Sequence, residues 1–250
     1  MAEFTEEFAQ CWNAAGSHIQ RMAGGDLMSW LKATLAPPFL EHLSFRLGNQ
    51  LFFIQIEDED GMLEVPGSPD GLLAIANGCK GHPCLMPMKK LGGKWQPSAS
   101  GWGLIDAETR RSINPISFVT DEKIEMTEWE LQDLAVQVVR QQIEKEGHQL
   151  MSWNGDPRVN PSVWFVGSSG GPEWVLVRAV RHPEKEATEP ENKSELKSHF
   201  GKMGFPGHFA SVAVASADDP FDPGAKSNGN YVPLFRGVGM RIRYEGLRSF

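Results

Sequence analysis

An α+β fold is what this chain predicts, with N-terminal helices on a small antiparallel sheet and an α-β-β-β-α-β succession after them. Three observations carry that expectation. Leu131, Leu134, Ala135, Val138, Val139 and Ile143 form one apolar stripe at helical spacing. Behind the stripe come short apolar runs, Val163-Trp164-Phe165-Val166 and Trp174-Val175-Leu176-Val177, which read as buried strands. Ahead of it, Leu43 to Leu47 and Leu51 to Ile56 flank Gly48-Asn49-Gln50, the pattern of a hairpin.

In chain order, Phe4, Phe8, Cys11, Trp12, Ala15, Ile19 and Met22 recur at helical spacing, and Gly24-Gly25 ends that helix. Asp26 reads as the cap of a second short helix that runs through Leu35 and stops at Pro37-Pro38. After the hairpin, the turn cluster Pro66 to Gly71 leads into a short helix near Leu72 to Asn77. Met86 to Leu91 pairs with the segment at Trp95 around Gly92-Gly93, and Gly101 to Asp106 reads as a further strand. The mixed-polarity stretch 116–126 separates an N-terminal domain, 1–115, from a C-terminal one, 127–250.

The second half opens with a capping box, Thr127-Glu128-Trp129-Glu130, and Gly147 supplies the stop of its helix. Ser194 to Met203 reads as a helix, Phe209 to Ala215 as a buried strand, and Asp218 to Asn230 as a long loop. Val238 to Tyr244 alternates well enough for a closing strand.

Composition is globular, with 40% hydrophobic and 22% charged residues. The formal net charge is -8. That balance argues against bulk binding of nucleic acid, because phosphate contacts need a positive face, and leaves a local basic patch open. A protein is therefore the expected partner, with nucleic acid unsupported by net charge and oligomeric state left unset. No apolar run of about 18 residues predicts a membrane span, and the acidic opening lacks the order of a signal peptide. Three cysteines, an odd count, do not make a disulfide framework, so the cytoplasm is the expected compartment.

The order helix, three strands, helix, strand from Thr127 to Ala215 resembles the restriction-endonuclease-like fold, the PD-(D/E)xK superfamily. The resemblance covers about half of the chain. It implies a core in which an Asp on the second strand and an acid on the third hold one or two divalent metals. A Lys two residues after that acid polarises water, and a Glu often comes from the preceding helix. Clustered carboxylates hold a hard cation such as Mg²⁺, which stabilises the attacking and leaving oxygens.

Carried onto this chain, Glu130 resembles the helix acid. Asp156 lies near the expected strand acid but one strand-start early, and Asn160 stands nearer the usual place. On the third strand the acid and Lys positions fall near Arg178 and Val180, while Glu173 begins the strand and the residue two places on is Val175. The signature is degenerate. Each acid also has a structural reading: Glu130 as capping-box acid, Asp156 as turn former in Gly155-Asp156-Pro157, Glu173 as a solvated strand start. An Arg in place of an acid repels a metal and attracts phosphate or carboxylate. Arg178 and Arg181, an odd number of residues apart on a strand, point to opposite faces.

The stretch Phe235 to Arg248 holds Arg236, Arg241, Arg243 and Arg248, with Arg241 and Arg243 on one strand face. These are candidates for phosphate or acidic-partner recognition, with a charge-guarded edge strand as the alternative. Cys79, His82 and Cys84 are three soft or borderline ligands, but tetrahedral zinc needs a fourth and none pairs with them, so buried thiols beside a turn are expected. The leading expectation is a non-catalytic binding or interaction protein with a degenerate nuclease-like domain and no cofactor. Two alternatives stand beside it. One is a metal-dependent phosphodiesterase using Mg²⁺ with Glu130, Asp156 and Glu173 as migrated ligands; the other is a regulatory interaction protein of an unrelated α+β fold.

Overall fold

The computed structural model describes residues 5–24, 28–32, 42–221 and 231–250 of the 250-residue chain. The chain divides into two compact units, Met1–Lys123 and Ile124–Phe250, and its class is α+β.

In the first unit, helix α1 (Glu6–Ala23) starts where the Thr5 hydroxyl accepts the Phe8 N–H at 3.1 Å and ends at Gly24, whose φ of 62° suits a residue without Cβ. Its buried face, Phe8, Cys11, Trp12, Ala15 and Ile19, packs into a core with Phe45, Phe52, Ile54, Met86 and Met88. Strands β1 (Met28–Lys32), β2 (Leu43–Leu47), β3 (Gln50–Asp58), β4 (His82–Leu91) and β5 (Lys94–Pro97) follow one another across the sheet, and β6 (Ile105–Asp106) adds beside β4. A tight turn at Gly48-Asn49 joins β2 to β3, with Leu47 opposite Gln50. Gly48 takes φ 57°, and a Cβ there would meet Val119 Cγ1 at 2.6 Å, so glycine is needed twice over.

Two expectations for this unit are corrected. The sheet is mixed rather than antiparallel: helix α2 (Pro69–Gly78) carries the chain over from β3, so β4 returns parallel to it. And Met28–Lys32, placed in a second helix by the sequence, is a strand antiparallel to β2. A helix that short gains little in water, whereas the unpaired edge of β2 offers a full set of backbone partners. Asp26 and Pro37-Pro38, its supposed signals, lie outside the described residues. The strand expected from Gly101 shrinks to Ile105–Asp106, because Gly101 and Gly103 take φ 67° and 69° in a turn. A 3₁₀ turn, Pro115–Phe118, stands at the start of the stretch read as a linker.

The second unit runs α3 (Glu128–Lys145), β7 (Gln149–Trp153), β8 (Val163–Val166), β9 (Pro172–Arg181), α4 (Lys193–Gly201), β10 (Gly207–Ser216), β11 (Met240–Tyr244) and β12 (Arg248–Ser249). The sheet order is β11-β10-β9-β8-β7, with β12 also on β10. Strands β7 to β9 are antiparallel, and α4 crosses over so that β10 lies parallel to β9. Helix α3 buries Leu131, Ala135, Val136, Val139 and Ile143 against Val163, Phe165, Val175, Val177, Ala210, Val212 and Val214. Each of the larger side chains, Val, Leu, Ile or Phe, contributes roughly 1.5–3 kcal/mol by leaving water. The opposite face, Trp174, Leu176 and Phe209, is covered by Leu196, Phe200 and Phe205.

Strand β8 stops early. It pairs with β9 only from Val166 opposite Pro172 to Val163 opposite Val175, and among the described residues the rest of that edge of β9 has no strand. Side chains take its place. Ser162 donates its N–H to Val175 O at 2.9 Å, and its hydroxyl accepts the Val177 N–H at 3.3 Å. The Gln132 amide of α3 donates to Val177 O at 2.9 Å and accepts the Ala179 N–H at 3.2 Å. Both are buried polar residues that find partners on the backbone groups β8 leaves unpaired. Among the described residues no helix is long and apolar enough to cross a membrane.

Candidate anion-binding face

Glu130 is held from two sides. It closes the capping box of α3: Glu130 Oε2 accepts the Thr127 N–H at 2.9 Å while the Thr127 hydroxyl accepts the Glu130 N–H at 3.3 Å. The same carboxylate takes a two-pronged ion pair from Arg236, Nε to Oε1 at 2.8 Å and Nη2 to Oε2 at 2.9 Å. The two side chains are 9% and 1% exposed. Backbone bonds Met126 N–H to Leu234 O and Arg236 N–H to Ile124 O seat the guanidinium against the helix start. Arg236 is therefore a buried structural cation rather than a surface for a partner.

Asp156 sits in a turn where its own amide bonds the Asn154 side chain. Its carboxylate accepts the Arg158 amide at 2.8 Å and the Arg158 guanidinium at 2.7 Å. Partial burial pushes this carboxyl up, but the hydrogen bonds and charge of Arg158 outweigh it and hold it below the usual carboxylate range. Glu173 lies half-buried and accepts from His208 Nε2 at 2.7 Å. Gly167 makes room for it: a Cβ there would fall 1.8 Å from Glu173 Oε1. Among the described residues no three His, Cys, Asp or Glu side chains gather as a metal site, so Glu130, Asp156 and Glu173 do not converge. Cys84 is buried and directs its thiol to His82 O, and burial pushes that thiol well up. Cys79 is also buried, and His82 stacks on Phe52 and bonds Gln50 at 3.1 Å.

The structure also assembles a relay that sequence order did not reveal. On the far side of the His208 ring, Nδ1 lies 3.3 Å from Ser249 Oγ. Serine, histidine and glutamate thus line up across β12, β10 and β9. The only sequence signal would have been that His208 and Ser249 face each other in the register of closely placed strands. Ser249 is exposed on a strand edge, and the line-up is a cross-strand hydrogen-bond chain.

The arginines sort by face. Arg178 stands opposite Ser211, Arg243 opposite Ala213 and Arg241 opposite Ala215, positions that alternate with Val212 and Val214 under α3. Arg178, Arg241 and Arg243 therefore share the α4 face of the sheet. Arg181 projects to the α3 face and bonds Glu128 at 3.0 Å. Arg178 is half-buried; it donates to Val177 O at 2.7 Å and to Asn160 Oδ1 at 2.8 Å. No carboxylate among the described residues pairs with it, and burial holds its guanidinium below its ordinary value. Asn160 in turn reaches Asn192 at the start of α4, at 3.4 Å. The two positions where the resemblance expects acids thus hold an Asn and an Arg bonded to each other.

Beyond the end of β9, His182, Lys185, Phe221, Arg241 and Arg243 rim a cavity of about 300 Å³ floored by Ala213, Val214 and Ala215. Arg241 stacks on Phe221 at 4.9 Å, and Arg243 pairs with exposed Glu245. Lys185 and Phe221 were not singled out in the sequence, since loop residues carry no periodicity, and His182 reads there as an ordinary core or surface histidine.

Residues 129–250 match the model of one family. It is a domain of unknown function, DUF8840. The match begins inside α3 and takes in every later element of the second unit. No curated protein and no solved structure matches the chain.

Proposed function

We propose that the second unit is a restriction-endonuclease-like domain that has lost metal-dependent hydrolysis and binds an acidic protein partner through its α4 face. The α-β-β-β-α-β order and the early end of β8 beside β9 support the fold reading. The observation that carries the functional reading is the Arg178–Asn160 pair. A half-buried guanidinium without a counter-ion has given up hydration that neutral acceptors only partly replace, and a ligand carboxylate would supply the rest. The same charge repels a divalent cation from the position a nuclease would fill. The chain's net charge of -8 favours a protein over the denser charge of nucleic acid.

Thermal melting of the full chain tests this. Millimolar Mg²⁺ or Mn²⁺ should leave the midpoint unmoved, whereas a glutamate-rich peptide should raise it, and Arg178→Leu should abolish that rise. A metal-dependent rise together with cleavage of a labelled oligonucleotide would restore the phosphodiesterase reading. A peptide effect that survives Arg178→Leu would remove Arg178 from the interface.

A further inference from the structure

The crevice at the end of β9 and β10 gathers several cations where one anionic group can reach them. Lys185, Arg241 and Arg243 line it with one carboxylate, Glu184, while Glu245 pairs with Arg243 from outside, so the lining itself carries more positive than negative charge. His182 stands on the rim, 3.8 Å from the buried carboxylate of Asp219, which accepts the amides of Phe221 and Val232 and also feels the charge of Arg241. A carboxylate or a phosphodiester brings one negative charge, whereas a phosphate monoester brings about 1.5 to 2 at neutral pH. We infer that this crevice is a phosphate-monoester site, formed by Lys185, Arg241 and Arg243. The inference rests on the second unit being a binding domain and names the group that its partner presents there.

Three further features support it. Lys185 has no ion-pair partner among the described residues, so its charge is uncommitted. Among the described residues Arg243 is held by Glu245, and those side chains are 56% and 74% exposed; such water-screened pairs contribute little and yield to a better anion. Arg241 is oriented by Phe221 and by a hydrogen bond to Ala217 O at 3.3 Å, which leaves other N–H groups of its fork for oxygens. The volume, about 300 Å³, holds a phosphate and the first atoms of its carrier. Among the described residues β11 has no strand on its outer side, so an extended peptide carrying the phosphate has backbone partners beside the crevice.

Fluorescence anisotropy with the full chain tests the site. The probe is a short labelled peptide with one phosphoserine between alternating valines and serines; the unphosphorylated peptide and adenosine monophosphate serve as the other arms. The phosphopeptide should bind at least tenfold tighter than its unphosphorylated form, and Lys185→Gln with Arg241→Gln should erase that difference. These side chains lie at the surface, and an unchanged melting curve certifies that the double variant is folded. If adenosine monophosphate competes as strongly as phosphoserine, the phosphate site stands and its natural ligand is a small molecule. Equal binding of the two peptides, or a phosphate preference that survives the double variant, overturns the inference. Arg178→Leu separates this from the acidic-partner reading: loss of the glutamate-peptide effect with retention of the phosphate preference keeps the crevice and limits Arg178 to the other contact.

Discussion

Two arginines of the second unit lead opposite lives, Arg236 against the start of α3 and Arg178 on the α4 face of the sheet. Arg236 is buried and forked onto Glu130, which the Thr127 amide also holds; its charge is spent inside the molecule. Arg178 is half-buried on the α4 face and has only the Val177 carbonyl and the Asn160 amide for company. Burial alone does not mark a functional charge. What distinguishes the second arginine is that no carboxylate among the described residues answers it.

The largest effect should come from breaking the satisfied pair. Arg236→Leu leaves Glu130 buried without its counter-ion, and chemical denaturation should show a loss of about 3–5 kcal/mol. Replacing Glu130 by Leu in the same protein should recover much of that, because the cost lies in the stranded charge. If the single change is silent, the pair is not what secures the α3 face.

Next comes Gln132→Ala, which leaves the Ala179 amide without its partner and the Val177 carbonyl with Arg178 alone. Equilibrium unfolding should register roughly 1–3 kcal/mol. Thr127→Ala removes one half of the capping box and should cost about 1 kcal/mol in the same measurement.

Arg178→Leu should change stability by less than about 1 kcal/mol in either direction, because it exchanges an uncompensated charge for an apolar side chain. Its signature is lost binding of acidic peptide, not lost folding, and a large destabilisation would place Arg178 with Arg236 among the structural cations. The smallest effect belongs to Asp156. Its carboxyl is held low in the folded state, so its contribution is present above the ordinary carboxylate pKa and fades as pH falls through the lower folded value. Water screens the pair with exposed Arg158, so the change should stay below about 1 kcal/mol when stability is followed down the acid range.

Much of the second unit was legible because its signals are local and strong. The capping box at Thr127 and the run Val163 to Val166 lie where the residue pattern puts them. Met28–Lys32 was misread because its pairing with β2 is a tertiary fact that no neighbouring residue announces. The parallel return of β4 was missed for the same reason, since a short helix between two strands can serve either direction. Arg178, Arg241 and Arg243 were singled out in the sequence, but their common face required the register of β9, β10 and β11. The Arg236–Glu130 partnership spans residues 106 apart, too far for spacing to reveal it.

The Gln132 amide has one more consequence. Because a helix side chain completes the ladder that β8 abandons, α3 and the upper half of β9 cannot loosen independently. The Ala179 amide should therefore exchange its hydrogen with solvent only when α3 lifts away, and the helix and that strand should open as a single cooperative block.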